Sequence, residues 1–156
     1  MTRFTDDPKR NAQILRAIKE REESLVNMAE ELARNLAEIF HQEEKKPLNE
    51  KEHKERQLRN IQEVAEQSTS WAEVELFIRY QAARKELYTA WAERAIQKLK
   101  ELQGIARSIV GAADESTIRN VHLELVRRVL GHTVRWHVWH AKGEPQLRRA
   151  KQGGAG

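Results

Sequence analysis

Apolar residues recur along this chain at intervals of three and four, the spacing of one helix face. The first such series is Leu15, Ile18, Leu25, Ala29, Leu32, Leu36 and Ile39, interrupted by Glu22. Asp7 can cap its exposed amides, and Pro8 follows where its missing N–H costs nothing. Continued over about 8–42 and ended by Pro47, the pattern predicts one long amino-terminal helix of about 50 Å. Its narrow Leu/Ile seam resembles a coiled-coil partner surface.

A second helix is predicted from Leu48-Asn49, with Asn49 as cap and Glu52 reaching back to the cap amide. Leu58, Ile61, Val64 and Ala65 form its apolar face, and Lys51, Lys54, Arg56 and Arg59 make its outer face basic. A polar break at Gln67-Ser68-Thr69 precedes a capping-box pattern from Ser70 to Glu73. The helix that follows is apolar on more than one side through Val74, Leu76, Phe77, Ile78, Tyr80, Ala82, Ala83 and Leu87, which predicts the central helix of the fold. Its pattern extends through Trp91, Ala95, Leu99 and Leu102 to Gly104, leaving open a bend or break near Tyr88-Thr89. A short helical turn from Ile105 to Val110 leads to a loop at Gly111-Ala112-Ala113-Asp114.

The last helix is the most regular. Ile118, His122, Leu125, Val129, His132, Trp136 and Trp139 form one stripe, with Gly143 and Pro145 as stop signals. The expectation is an all-α bundle of about five helices in a single domain over residues 1–143, with a flexible basic, Gly-rich tail over 144–156.

Charge changes the picture locally. Lys plus Arg number 28 against 24 Asp plus Glu, so attraction to a polyanion requires cations gathered in one place. They gather at the carboxyl-terminal end, where Arg127, Arg128, Arg135, Lys142, Arg148, Arg149 and Lys151 face the single acid Glu144. Without cysteine there is no disulfide framework, thiolate metal site or cysteine nucleophile. The segment Met1 to Pro8 lacks the apolar core of a signal peptide, and no stretch approaches the ~18 apolar residues of a spanning helix. A soluble cytoplasmic protein is expected, with no membrane partner.

Catalytic signatures are missing: the chain carries no P-loop, dinucleotide fingerprint, HExxH or serine on a strained turn. Acids alternate with Lys and Arg along helix surfaces, as solvated faces do. His132 sits on the apolar stripe while His137 lies well around the same helix, so with His140 they share no face and no metal is expected. Trp136 and Trp139 coincide with the stripe and read as core. The chain is therefore expected to be neither an enzyme nor a cofactor carrier.

The basic residues remain. Arg128, Arg135 and Lys142 recur every seven residues beside Arg127, a row able to follow a phosphate backbone or to snorkel beside the stripe. Lys54, Arg56 and Arg59 give a similar picture, diluted by Glu52 and Glu55.

Three segments, Leu58-Arg59-Asn60-Ile61, Tyr80-Gln81-Ala82-Ala83-Arg84 and Val134 to Lys142, occur in an order and texture that resembles the small subunit of type III-A CRISPR effector (Csm) complexes. The similarity spans roughly Glu50 to Lys142. It implies an all-helical, non-catalytic subunit that stacks in several copies along a ribonucleoprotein, beside the backbone and large subunits. Basic side chains would hold the guide RNA and target RNA by their backbones, with sequence read by base pairing. By that resemblance the candidates are Lys54, Arg56, Arg59, Arg79, Arg84, Arg127, Arg128, Arg135 and Lys142, although Arg84, between Tyr80 and Leu87, could instead anchor a buried ion pair. The related small subunit of type III-B complexes does the same work, so role is better defined than subtype. The long first helix departs from the family's pattern. The alternative is a helical protein-protein adaptor or coiled-coil dimer that uses the amino-terminal seam.

Overall fold

Capping residues set the first boundaries. The computed structural model describes residues 3–49, 51, 54–111 and 114–154. Helix α1, Pro8–Glu20, starts where the Asp7 carboxylate accepts from the Lys9 amide at 3.0 Å. It stops at Arg21, whose backbone (φ −102, ψ 5) leaves the helical region, and α2 follows as Glu22–Glu44. The single helix expected over about 8–42 is thus two. The Arg21 guanidinium donates to the Ala17 carbonyl at 2.9 Å, satisfying an acceptor that the break would orphan. Glu22, freed to turn toward another helix, opens α2 where the helix dipole favours an anion.

Lys45 ends α2 in the left-handed conformation (φ 60), its N–H returning to the His41 carbonyl at 2.9 Å. Helix α3 spans Glu55–Gln67, later than its sequence signal. Asn49 caps no helix there: its Oδ1 accepts from the Lys51 amide at 2.8 Å in a local turn. Glu52 lies outside the described residues.

Helix α4, Trp71–Ala83, begins as expected, with Ser70 Oγ accepting from the Ala72 amide at 3.1 Å. It ends at Arg84, and Lys85 adopts φ 62, so the pattern breaks before Tyr88. Helix α5, Thr89–Val110, then runs straight through Gly104, because Leu102, Ile105, Ala106 and Ile109 continue its apolar stripe. Gly111 ends it with φ 91, a conformation suited to glycine. Ala112 and Ala113 of the expected loop lie outside the described residues.

Helix α6, Glu115–Val138, is held at its start by Asp114, which accepts from the Thr117 amide at 3.1 Å and hydroxyl at 2.5 Å. It is buried on nearly every side and packs against α2, α3, α4 and α5. The central helix is therefore α6. Helix α4 buries Val74 and Ile78 but leaves Leu76 69% and Tyr80 50% exposed, so its surplus of apolar residues faces outward.

The expected stop at Gly143 and Pro145 does not occur. A π-helical turn, Trp139–Gly143, carries α6 directly into α7, Glu144–Gly154, so helix replaces the expected flexible tail. The Glu144 amide reaches back five residues to the Trp139 carbonyl, and this wider turn shifts the carbonyl register ahead of the proline ring. Gly143 makes room for Trp139, since a Cβ there would lie 2.1 Å from the indole. Ala155 and Gly156 are outside the described residues.

Counting 115–154 as one continuous rod, the described residues form six helices rather than about five, without strands. The core joins the α2 seam to α5 and α6 through fully buried Leu25, Leu32, Leu36, Leu99, Leu102 and Leu125, each contributing about 1.5–3 kcal/mol. Trp91 is buried among them, its indole N–H donating to the Leu32 carbonyl at 2.9 Å. Among the described residues no helix is long and apolar enough to cross a membrane.

Candidate nucleic-acid interface

Helices α3 and α4 pack side by side and leave a cleft of about 290 Å³ between their outer edges. Arg56, Gln57 and Asn60 line it from α3, with Phe77, Tyr80, Gln81 and Arg84 opposite and Glu86 from the following loop. The left-handed turn at Lys85 builds this wall. It returns the Glu86 amide to the Gln81 carbonyl at 2.9 Å, while Leu87 plugs into the core. The Glu86 carboxylate then accepts from Gln57 Nε2 at 3.2 Å, tying the loop to α3.

Arg84 is exposed and lies across Tyr80, its guanidinium carbon 5.4 Å from the ring centre and Nη1 3.2 Å from the hydroxyl. This cation–π contact excludes the buried ion pair that sequence left open for Arg84. Phe77 tilts against Tyr80 with ring centres 6.2 Å apart. Arg56 is exposed at the same cleft. The structure thus brings the Leu58–Ile61 and Tyr80–Arg84 segments to one place.

The row on the last helix is different. Arg127 donates to the carbonyls of Ala65 at 2.8 Å and Ser68 at 2.9 Å, closing the end of α3. Arg128 pairs with Glu22 at 2.9 Å and Glu124 at 3.0 Å. His132 Nε2 meets Glu22 Oε1 at 2.7 Å, and Arg135 Nη1 approaches His132 Nδ1 at 3.1 Å. Burial alone would raise the Glu22 carboxyl, but the hydrogen bonds of His132 and Arg128 hold it below its ordinary range. Arg127, Arg128 and Arg135 do share a cleft of about 350 Å³, but Glu22, Glu66 and Glu124 share it too. Two of the three arginines are committed to protein acceptors, and Arg135 alone of them is exposed.

Lys142 does not continue that row. Within the π-turn its Nζ reaches Glu55 of α3 at 3.2 Å, and Arg59 Nε meets the same carboxylate at 2.8 Å. The hydrogen bond from Arg59 is the chief reason why the Glu55 carboxyl is held low, with Lys142 adding to it. Lys54 Nζ sits 5.4 Å from the Tyr88 ring centre. Arg79 bridges to Glu93 of α5 at 2.6 Å.

The histidines serve the fold. His122 is buried, its Nε2 2.9 Å from the Leu99 carbonyl, with Trp71 edge-on at 5.4 Å. His137 is buried and accepts from the Lys54 amide at 3.2 Å, and His140 stacks on Trp136 beside Glu144. Among the described residues no group of three His, Asp or Glu could hold a metal ion. Trp136 packs against the core and donates to the Val26 carbonyl at 3.1 Å, whereas Trp139, expected in the core, is 41% exposed.

Sequence reasoning passed over Gln57 and Glu86 as site residues, and assigned Phe77 and Tyr80 to a central, buried helix. The available signal was the excess of apolar residues on α4 beyond one helix stripe, since such an excess belongs to a buried helix or to an exposed binding face. Set against known protein families, curated proteins and solved structures, the chain matches none of them.

Proposed function

We propose that this protein is a non-catalytic small subunit of a type III CRISPR ribonucleoprotein, nearer to the type III-A form, which grips the RNA backbone while base pairing elsewhere selects sequence. The observation that carries this reading is the convergence of the two motif segments on the α3–α4 cleft, with Arg56 and Arg84 at its edges. These guanidiniums sit on helix ends held by the core, the arrangement that backbone binding requires. Arg59, Lys54 and Lys142 extend the positive charge along α3, tempered by Glu55. Copies of the chain, the backbone and large subunits, guide RNA and target RNA are the partners of this reading, and the cytoplasm is its compartment.

Against the adaptor alternative, Leu25, Ala29, Leu32 and Leu36 of the amino-terminal seam are buried within the chain, where α2 packs on α5 and α6. Binding of unrelated RNAs by the purified protein tests the proposal. Weak, sequence-indifferent affinity should fall with salt by about 0.7–0.9 log units per phosphate neutralised for each log unit of salt. Sequence-selective binding by the protein alone, or a tight dimer without RNA affinity, would overturn it.

A further inference from the structure

The α3–α4 cleft carries more chemistry than a phosphate grip needs. Cations on a rigid helix suffice to hold a duplex backbone, yet here they border two aromatic rings, three side-chain amides and a carboxylate. Tyr80 keeps 50% of its surface open even with Arg84 across its ring. At about 290 Å³ the space sits at the small end of ligand clefts, which begin at roughly 300 Å³. Only a base out of its own helical stack could lie against Tyr80 there. Glu86 would repel a phosphate placed against it but can accept from the N–H donors of a base edge.

We propose that this cleft is a subsite for a single unpaired nucleotide of any base, stacked against Tyr80 and Phe77, its polar edge met by the Gln57 and Asn60 amides, which both donate and accept, beside Glu86, and its flanking phosphates held by Arg56 and Arg84. The inference rests on the reading that the protein binds RNA, and adds that it distinguishes an unpaired base from a paired one. The left-handed turn at Lys85 fixes Glu86 against Gln57, so the polar groups of the cleft are positioned before the ligand arrives. Arg84, anchored by Tyr80, still has donors for a phosphate.

The test is fluorescence anisotropy with a labelled single-stranded RNA, the same strand with abasic sites, and a blunt RNA duplex. Wild-type protein should bind the intact strand about 5- to 150-fold more tightly than the abasic one, the range for one stacked base. Tyr80→Ala should erase that difference and Tyr80→Phe retain it, both leaving helicity unchanged. Equal binding of intact and abasic strands, with Arg56→Glu weakening both, would overturn the nucleotide subsite and leave backbone binding standing. Absence of affinity for every RNA would overturn both.

Discussion

Glu22 and His132 meet at 2.7 Å, and each is a polar residue that falls within an apolar stripe, one on α2 and the other on α6. Two apparent defects in the sequence pattern thus satisfy each other across the packed helices. Arg128 joins them by donating to Glu22 and Glu124, and Arg135 reaches the other nitrogen of His132. The exchange holds the start of α2 against the middle of α6, where α2 begins after the Arg21 break.

Glu22→Gln keeps the shape and removes the charge. Loss of charge-assisted hydrogen bonds at a partly buried site should cost about 2 kcal/mol, read as a lower urea midpoint. Because the folded Glu22 carboxyl is held below its ordinary value of 4.5, the unfolded chain takes up this proton first on acidification. Its contribution is therefore fully present above 4.5 and is lost as pH falls through the lower folded value. Acid titration of Glu22→Gln should lack that portion of the stability loss; an acid limb identical to wild type would refute the role.

His122 has the opposite chemistry and an earlier pH window. Burial is the main cause that lowers its pKa from the ordinary 6.5, with the Leu99 carbonyl partly restoring it. The unfolded histidine binds a proton before the folded one does, so stability is complete above 6.5 and declines as pH falls below it. The ring's NMR titration should show a midpoint below 6.5, and His122→Gln should flatten the decline in stability on the acid side of neutrality. A midpoint at or above 6.5 would contradict the buried neutral ring.

Gly143 and Pro145 were ordinary helix stop signals, and the π-turn overrides them. Gly143→Ala brings a Cβ to within 2.1 Å of the Trp139 ring, which forces either the indole or the turn to move. Trp139 is partly exposed, so the indole can give way, but at the expense of the π-turn geometry that leads into Pro145. Limited proteolysis should then cleave near 144–154 faster than in wild type, while the core stays resistant. Equal cleavage rates would show that the turn tolerates a side chain.

The readable parts of the fold were those with local causes. Asp7 and Ser70 announce helix starts because a cap bonds residues two positions away, and the α6 stripe is visible because Ile118, Leu125 and Val129 recur at helical spacing and are all buried. Arg21 was not readable, since Lys19-Glu20-Arg21-Glu22 is composed of good helix formers and the break serves a distant partner, His132. Val74 and Leu76 look alike in sequence, yet one is buried and the other exposed, because the positions of α3 and α5, with α6 behind them, decide which side of α4 is covered. Likewise the spacing of Arg128, Arg135 and Lys142 was correct as periodicity, but Glu22 and Glu55 arrive from other helices to meet two of them. The candidate cleft was half legible: its two segments stood out, whereas the turn at Lys85 that brings Glu86 to its wall did not.

Basic residues with similar appearance in sequence should therefore separate by experiment into two classes. Arg127 donates to two carbonyls at the end of α3, so Arg127→Ala leaves helix acceptors unsatisfied and should cost roughly 2 kcal/mol. Arg56 and Arg84 are exposed at the α3–α4 cleft, and their loss should change stability by less than about 0.5 kcal/mol. RNA affinity should show the reverse order: the Arg56→Glu, Arg84→Glu double variant should lose binding and reduce the salt slope by about two phosphate contacts' worth. Arg127→Ala should keep that slope at temperatures where it remains folded. Urea melts and salt-dependent RNA titrations on the same preparations check both halves. If Arg127→Ala lowered the slope while the double variant left it intact, the interface would lie on α6 rather than between α3 and α4.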